Sequence, residues 1–441
     1  MFVSLFSCGR EEVLMPLIVE TNPDAVITAQ NTSVLVDIFA NDSNVPENGV
    51  LTITTPTNGI SEIDNNNTNA LIRDDKVIFT PNANFTGTDS FEYTICDSSG
   101  NCSTAEIIVS VTSLSVVNNV TESFPYNLLS EYNLFEGDLK DLNPTYSVVP
   151  YELISPLFSD YAKKKRFVWM PNNKKASYVA DHKSLEFPVG TLLIKNFYYN
   201  NVLPNNQQQL LETRLMFKTA EGWDFANYIW NETQTEAIYN EQGSNVPLSW
   251  IQDGIEQSVN YRIPSRAECF TCHNNFGTAL PIGPKPQNLN KEYPYEEGIK
   301  NQLQKLIELG YLNTNIPNNI TSVVQWDDPT HPINLRVRSY IDINCAHCHS
   351  DESYCEYRSM RFAFNENALD ENMGICEDPE TAFIPNSKIV APGDKDSSIL
   401  YYRINTTEQS LRMPLFGRTL QHVEGIRLID EWINSLENSC D

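Results

Sequence analysis

Two pentapeptides constrain this chain more than any other feature. Cys269-Phe-Thr-Cys272-His273 and Cys345-Ala-His-Cys348-His349 are both C-x-x-C-H. Two thiols three residues apart on a starting helix reach both vinyl groups on one edge of a haem, and the next imidazole meets the iron. Cys269, Cys272, His273, Cys345, Cys348 and His349 are therefore the expected cofactor-binding residues. Two covalently attached haems are the expected cofactors, with His273 and His349 as iron ligands. The same residues can be read as zinc ligands, but zinc ribbons separate their pairs by roughly 15 to 20 residues. Here the second pair lies far beyond that, and a His follows each pair.

Covalent haem attachment takes place outside the bacterial cytoplasm, so disulfides are permitted. Cys96 and Cys102 bracket the turn-forming loop Asp97-Ser-Ser-Gly-Asn101 and form the first expected pair; Cys355 and Cys376 form the second, which leaves Cys440 unassigned. The chain carries 30 Lys plus Arg against 57 Asp plus Glu, a net charge of -27, which argues against nucleic acid and for a basic or weakly charged partner. With 41% hydrophobic residues, 20 Tyr and 20 Phe it can fill several cores, so it is no disordered acidic chain. No run of about 18 apolar residues is present to span a bilayer as a helix.

The first residues end in Leu5-Phe6-Ser7-Cys8 followed by Gly9. This resembles the lipobox of bacterial lipoproteins, which implies a lipid on Cys8 and attachment to a membrane. A basic n-region is missing and the apolar run is short, so residues 1–24 read as a truncated signal and tether; the alternative for Cys8 is an ordinary buried cysteine.

Residues 25–112 are short strands separated by Asn, Asp, Gly and Pro. Phe91, Tyr93 and Ile95 share one face of a strand, as do Ala105, Ile107, Val109 and Val111, and the spacing predicts an all-β sandwich of about seven strands. Phe39-Ala-Asn-Asp42 and the stretch from Phe79 to Tyr93 resemble bacterial Ig-like, cadherin-like repeats. Some such modules bind calcium, for which Asp37, Asp42, Asp89 and Asp97 are available; solvated turns are the plainer role.

Residues 113–145 read as a linker, and 146–332 as a β-rich domain ending in the first haem motif plus a helical connector. A motif at the end of a β-domain is similar in layout to the lysine-crosslinked β-sheet cytochromes of ammonia oxidisers and their gas-binding relatives. On that resemblance Lys195, in Phe187-Pro-Val-Gly-Thr-Leu-Leu-Ile-Lys195, becomes a candidate haem contact, against an ordinary strand lysine. No second ligand for the first iron stands out. Met170, Met216 and His182 are available but read better as packing or surface residues, and an iron with an open position could bind a small molecule. Pro281 and Pro284 mark the loop whose backbone carbonyls could orient His273.

Apolar spacing predicts an amphipathic helix from Tyr295 to Tyr311 and another from Ile333 into Cys345. Residues 333–441 then follow the order of a C-terminal all-α class I cytochrome c domain: helix, motif, long loop, Met413-Pro414, and a closing helix from Val423 to Leu436. Met413 is the expected second ligand of the second iron, ahead of Met360 and Met373. His347 reads as a solvent-facing filler.

Residues 146–441 as a whole resemble a little-characterised family of bacterial dihaem c-type cytochromes, on Tyr151-Glu-Leu-Ile-Ser-Pro-Leu-Phe-Ser-Asp-Tyr161, Phe187-Pro-Val-Gly-Thr191, Glu212-Thr-Arg214, Ile263-Pro-Ser265 and Arg338 to His349. The resemblance implies an exported electron carrier, in the periplasm or cell envelope, that relays single electrons between redox proteins. Lys163 to Arg166 is a basic cluster that could dock a partner, or a solvated loop. The rival readings are a peroxidase or small-molecule oxidase acting at the first haem, and an adhesion or scaffold protein led by the Ig-like module.

Overall fold

Seven strands, in two of which apolar residues clearly alternate in sequence, build the first of two units into which the chain divides, residues 1–114 and 115–441. The computed structural model describes residues 19–68, 71–83, 85–112, 116–118, 123–275, 277–381, 383–437 and 440; Cys8 lies outside them.

In the first unit one sheet pairs Asp24–Ala29 in parallel with Cys102–Thr112, which pairs with Gly87–Asp97, which pairs with Gly49–Ile53. The second sheet joins Val34–Val36, Lys76–Pro81 and Gly59–Asp64, the last of which carries no clear alternation in sequence. Phe91, Tyr93, Ile95, Ile107 and Val109 are buried in the core, as their spacing requires. Cys96 and Cys102 face each other across the hairpin and form a disulfide. The four loop aspartates have protein partners. Asp37 pairs with Lys76, Asp42 accepts the Tyr93 hydroxyl, Asp89 accepts the Asn58 amide, and Asp97 folds its own turn through Ser99 and Asn101.

The second unit is organised on an eight-stranded antiparallel sheet. In order it runs Val149–Tyr151, Lys163–Trp169, Leu192–Val202, Gln207–Lys218, Trp223–Trp230 and Ala237–Tyr239, with the hairpin Ser244–Gln252 and Ile255–Ile263 attached to Leu192–Val202. Both faces are covered, which explains runs such as Leu192-Leu-Ile194, apolar on successive residues. One face is covered by Leu129, Tyr132, Leu134 and Phe135. The segment read as a linker is therefore core here; its apolar residues sit in and between short 3-10 turns and a two-residue strand, which show no regular period. The opposite face carries Val168, Leu193, Met216 and Phe225 together with Cys269 and Leu303.

The stretch expected as one helix from Tyr295 to Tyr311 splits. Pro294 and Gly298 stand in a hairpin of Glu292–Tyr295 and Gly298–Asn301, and only Gln302–Glu308 is helical, started by Asn301.

The expected C-terminal all-α class I cytochrome c domain over 333–441 does not form. The segment has helices at Ile333–Cys345, Asp370–Met373, Ile399–Asn405 and Val423–Ser435, but turns and loops fill the long intervals, and it belongs to the same unit as the sheet. The physical reason lies in its buried polar groups, whose partners come from the β-rich part. Asp342 accepts Lys285 Nζ and Gln287 Nε2, both at 3.3 Å, and Asn344 accepts the Phe158 amide at 3.0 Å. Without those partners the helices would leave buried groups unsatisfied. The first and last helices do pack together, through Val337, Ile341, Ile429 and Ile433. Cys376 is bonded to Cys440, not to Cys355, which stays a free buried thiol.

Candidate functional site

Ser265-Arg-Ala-Glu268 is a capping box that fixes where the first motif begins. The Ser265 hydroxyl accepts the Glu268 amide, the Glu268 carboxylate accepts the Ser265 amide at 2.7 Å, and Arg262 clamps that carboxylate at 2.7 Å. The helix Arg266–Cys272 then sets Cys269 and Cys272 one turn apart on one face and ends at His273. His273 Nδ1 lies 2.7 Å from the carbonyl oxygen of Leu280. A carbonyl only accepts, so Nδ1 carries the proton and Nε2 keeps its lone pair. Burial lowers the His273 pKa to about 3, so the ring stays neutral. The orienting carbonyl is that of Leu280, not of Pro281 or Pro284, the candidates from sequence.

The second motif straddles the end of a helix. Cys345 closes Ile333–Cys345, and both Cys348 and His349 donate their amides back to its carbonyl, at 3.1 and 3.0 Å. His349 is buried, its pKa is lowered to about 4 by desolvation, and its Nδ1 has no hydrogen-bond partner. Its ring meets Phe362 edge-on at 5.3 Å.

Each motif walls its own cavity. Cys269, Cys272 and His273 line one of about 1300 Å³, counting the open space at its mouth. Cys345, Cys348 and His349 line another of about 1070 Å³ on the same measure, with apolar walls that include Phe362, Ile389 and Leu400. Cys272, Cys345, His347 and Met413 line both, so the cavities meet at a shared wall. There Cys272 and Cys348 act on one another, with His347 beside them, which pushes Cys272 down and Cys348 up. Burial raises Cys269 to about 11 and Cys345 to about 12, so both are thiols at neutral pH. All four motif thiols are unpaired. Among the described residues no three His, Cys, Asp or Glu side chains converge to hold a bare metal ion.

The other expected residues separate clearly. Met413 lies in the loop between the last two helices and lines both cavities; Met360 lines the second and Met216 the first. Met170 and Met373 are buried in core, and His182 lines neither cavity. His347 corrects the expectation of a solvent-facing filler: it is half-buried in the shared wall, with Nδ1 buried and unpartnered. Lys195, weighed as an ordinary strand lysine, lines the first cavity. The basic run Lys163 to Arg166 is strand, not loop, and its last member, Arg166, is buried against that same cavity.

His422 has no motif around it and gives no signal in sequence, yet it too lines the first cavity. It stacks on Phe158 at 4.0 Å with an 11° interplanar angle, and its Nδ1 lies 3.0 Å from the Tyr340 hydroxyl.

Residues 16–110 match the family model of the bacterial Ig domain. Two solved structures are weakly similar. Sidekick-1 immunoglobulin domains 1-4 are 8% identical, over 56% of this chain and 76% of that one, with a TM-score of 0.17. A Bacteroides ovatus protein, SGBP-B of the mixed-linkage glucan utilization locus, solved with a mixed-linkage heptasaccharide, is 10% identical over 67% of each chain, with a TM-score of 0.13. Neither likeness bears on the fold of residues 115–441. No curated protein matches the chain. No described helix is long and apolar enough to cross a membrane. A match to the bacterial Ig domain over residues 16–110, together with two disulfides, marks an extracellular or surface protein.

Proposed function

We propose that residues 115–441 hold two covalently attached haems and relay single electrons between redox partners outside the cytoplasm. One haem is bound by Cys269, Cys272 and His273, the other by Cys345, Cys348 and His349 with Met413 as its second axial ligand. When bound, each haem iron supplies a one-electron couple.

The observation that carries this reading is the shared wall. Two cavities, each lined by an intact C-x-x-C-H, meet at Cys272, Cys345 and Met413, so that haems bound in them would lie side by side. The chain's own residues suit the group. Four thiols are kept out of the disulfides. His273 is held as the neutral tautomer with its free nitrogen available, which is how a ligating imidazole is prepared. A porphyrin supplies four nitrogens itself, so one or two protein ligands suffice, whereas zinc needs a tetrahedral set, and none converges among the described residues. Met216 and His422 line the first cavity and are candidates for the second ligand of its iron.

The alternative is a haem redox enzyme, a peroxidase or small-molecule oxidase, acting at an open position on the first iron. It is favoured by the sequence, in which no second ligand for the first iron stands out. An optical spectrum of the reduced, haem-matured protein before and after carbon monoxide separates the two. The relay predicts no change; about half the haem binding carbon monoxide favours the enzyme. Absence of haem overturns both.

A further inference from the structure

Five residues form one row across five adjacent strands. Tyr151 pairs with Arg166, Arg166 with Lys195, Lys195 with Arg214, and Arg214 with Asn227. All five line the first cavity. Like charges directly opposite one another on neighbouring strands are destabilising, and here three cations stand consecutively.

Among the described residues, only one of the three has an ion-pair partner. Arg214 makes a two-point ion pair with Glu212, Nε to Oε2 at 2.8 Å and Nη2 to Oε1 at 2.6 Å. Glu212 is fully buried and also accepts the Tyr261 hydroxyl at 2.7 Å, so it has little left to offer the others. Arg166 is only 7% exposed, and its Nη2 is buried without a partner. Neither Arg166 nor Lys195 has a carboxylate within ion-pair distance among the described residues. Desolvation, with Arg166 and Arg214 nearby, pushes the Lys195 pKa well down. Arg166 is a buried cation without an anionic partner, which is costly; a bound anion would compensate it and favour the charged form of the half-buried Lys195 beside it.

We propose that Arg166 and Lys195, backed by Arg214, form an anion-binding row whose ligand is a small planar oxyanion of the carboxylate type. A planar guanidinium with an unused fork suits such a group. Two sources share that chemistry: the propionate carboxylates of the first haem, and a free oxyanion such as formate or nitrite. The first source rests on the haem reading above; the second does not.

The test uses the haem-matured full chain, wild type and Arg166→Gln, with Lys195→Met as a second variant should the first fail to fold. Two quantities are read: the midpoint potential of the first haem, and its optical response to added formate and nitrite. A free-anion site gives a saturable spectral shift in the wild type, and binding at least about tenfold weaker in the variant. A propionate site gives no response to added anion but a lower midpoint potential in the variant, because a lost cation favours the oxidised iron; Arg166→Lys restores it. A variant with wild-type potential, together with a wild type that ignores both anions, overturns the proposal. If the chain carries no haem, calorimetric titration of the folded protein with formate tests the row alone, and absence of binding overturns it there.

Discussion

The carboxylate of Asp160 accepts the Thr419 amide at 2.7 Å through Oδ1, and its two oxygens also take the Leu420 amide and the Thr419 hydroxyl, at 2.8 and 2.9 Å. Asp160 is 2% exposed, so these bonds are sheltered from water. They tie the strand-bearing half of the second unit to the loop that carries Met413. Arg418, next in the chain, donates to the Met413 carbonyl at 2.9 Å, which extends the tie to Met413 itself.

Asp160→Ala should therefore destabilise the unit by about 3 kcal/mol, since it strands two buried amides and a hydroxyl. It should also loosen Met413. Denaturant unfolding reads the first effect, and weakening of the sulfur-to-iron charge-transfer band reads the second. A variant of unchanged stability would show that the loop is held by something else.

The bond between Cys376 and Cys440 closes a loop of sequence separation 64 and anchors the chain beyond the last helix. Chain-entropy reasoning gives a stabilisation of up to about 4 kcal/mol. Cys440→Ser should lower the thermal midpoint and leave the haem count unchanged, as calorimetry and haem assay on the same sample would report.

His422 gives the second unit an acid sensitivity. Burial lowers its pKa from 6.5 to about 3. As the pH falls through that window the unfolded chain binds a proton that the folded chain refuses, so stability falls with pH. His422→Phe, which keeps an aromatic ring against Phe158, should show a shallower loss between pH 7 and pH 4 in unfolding titrations.

The two units are distinct in their internal contacts, and both cavities belong to the second. A chain lacking residues 25–112 should keep its haem spectrum and electron transfer. Loss of either would favour a reading in which the Ig domain leads.

What could be read from the sequence follows from how local each signal is. The two motifs are legible because each C-x-x-C-H is complete within five residues, and strands such as Gly87–Asp97 because alternation is visible within one segment. The row of Arg166, Lys195 and Arg214 is invisible, because it exists only in the register between strands far apart in sequence. His422 is a lone histidine with no spacing to mark it. The core role of Leu129 and Tyr132 is hidden by an irregular period, and the partner of Cys376 is a choice among cysteines that only the fold makes. The helices around the second motif were legible, but not that their buried Asp342 and Asn344 depend on the sheet-bearing half for partners.

The central claim is that one chain carries two haems by thioether bonds. The direct measurement is the intact mass of the denatured, haem-matured protein, beside that of Cys345→Ser/Cys348→Ser. The account predicts two haems covalently retained in the wild type and one in the double variant. A wild-type mass equal to that of the bare polypeptide would contradict it.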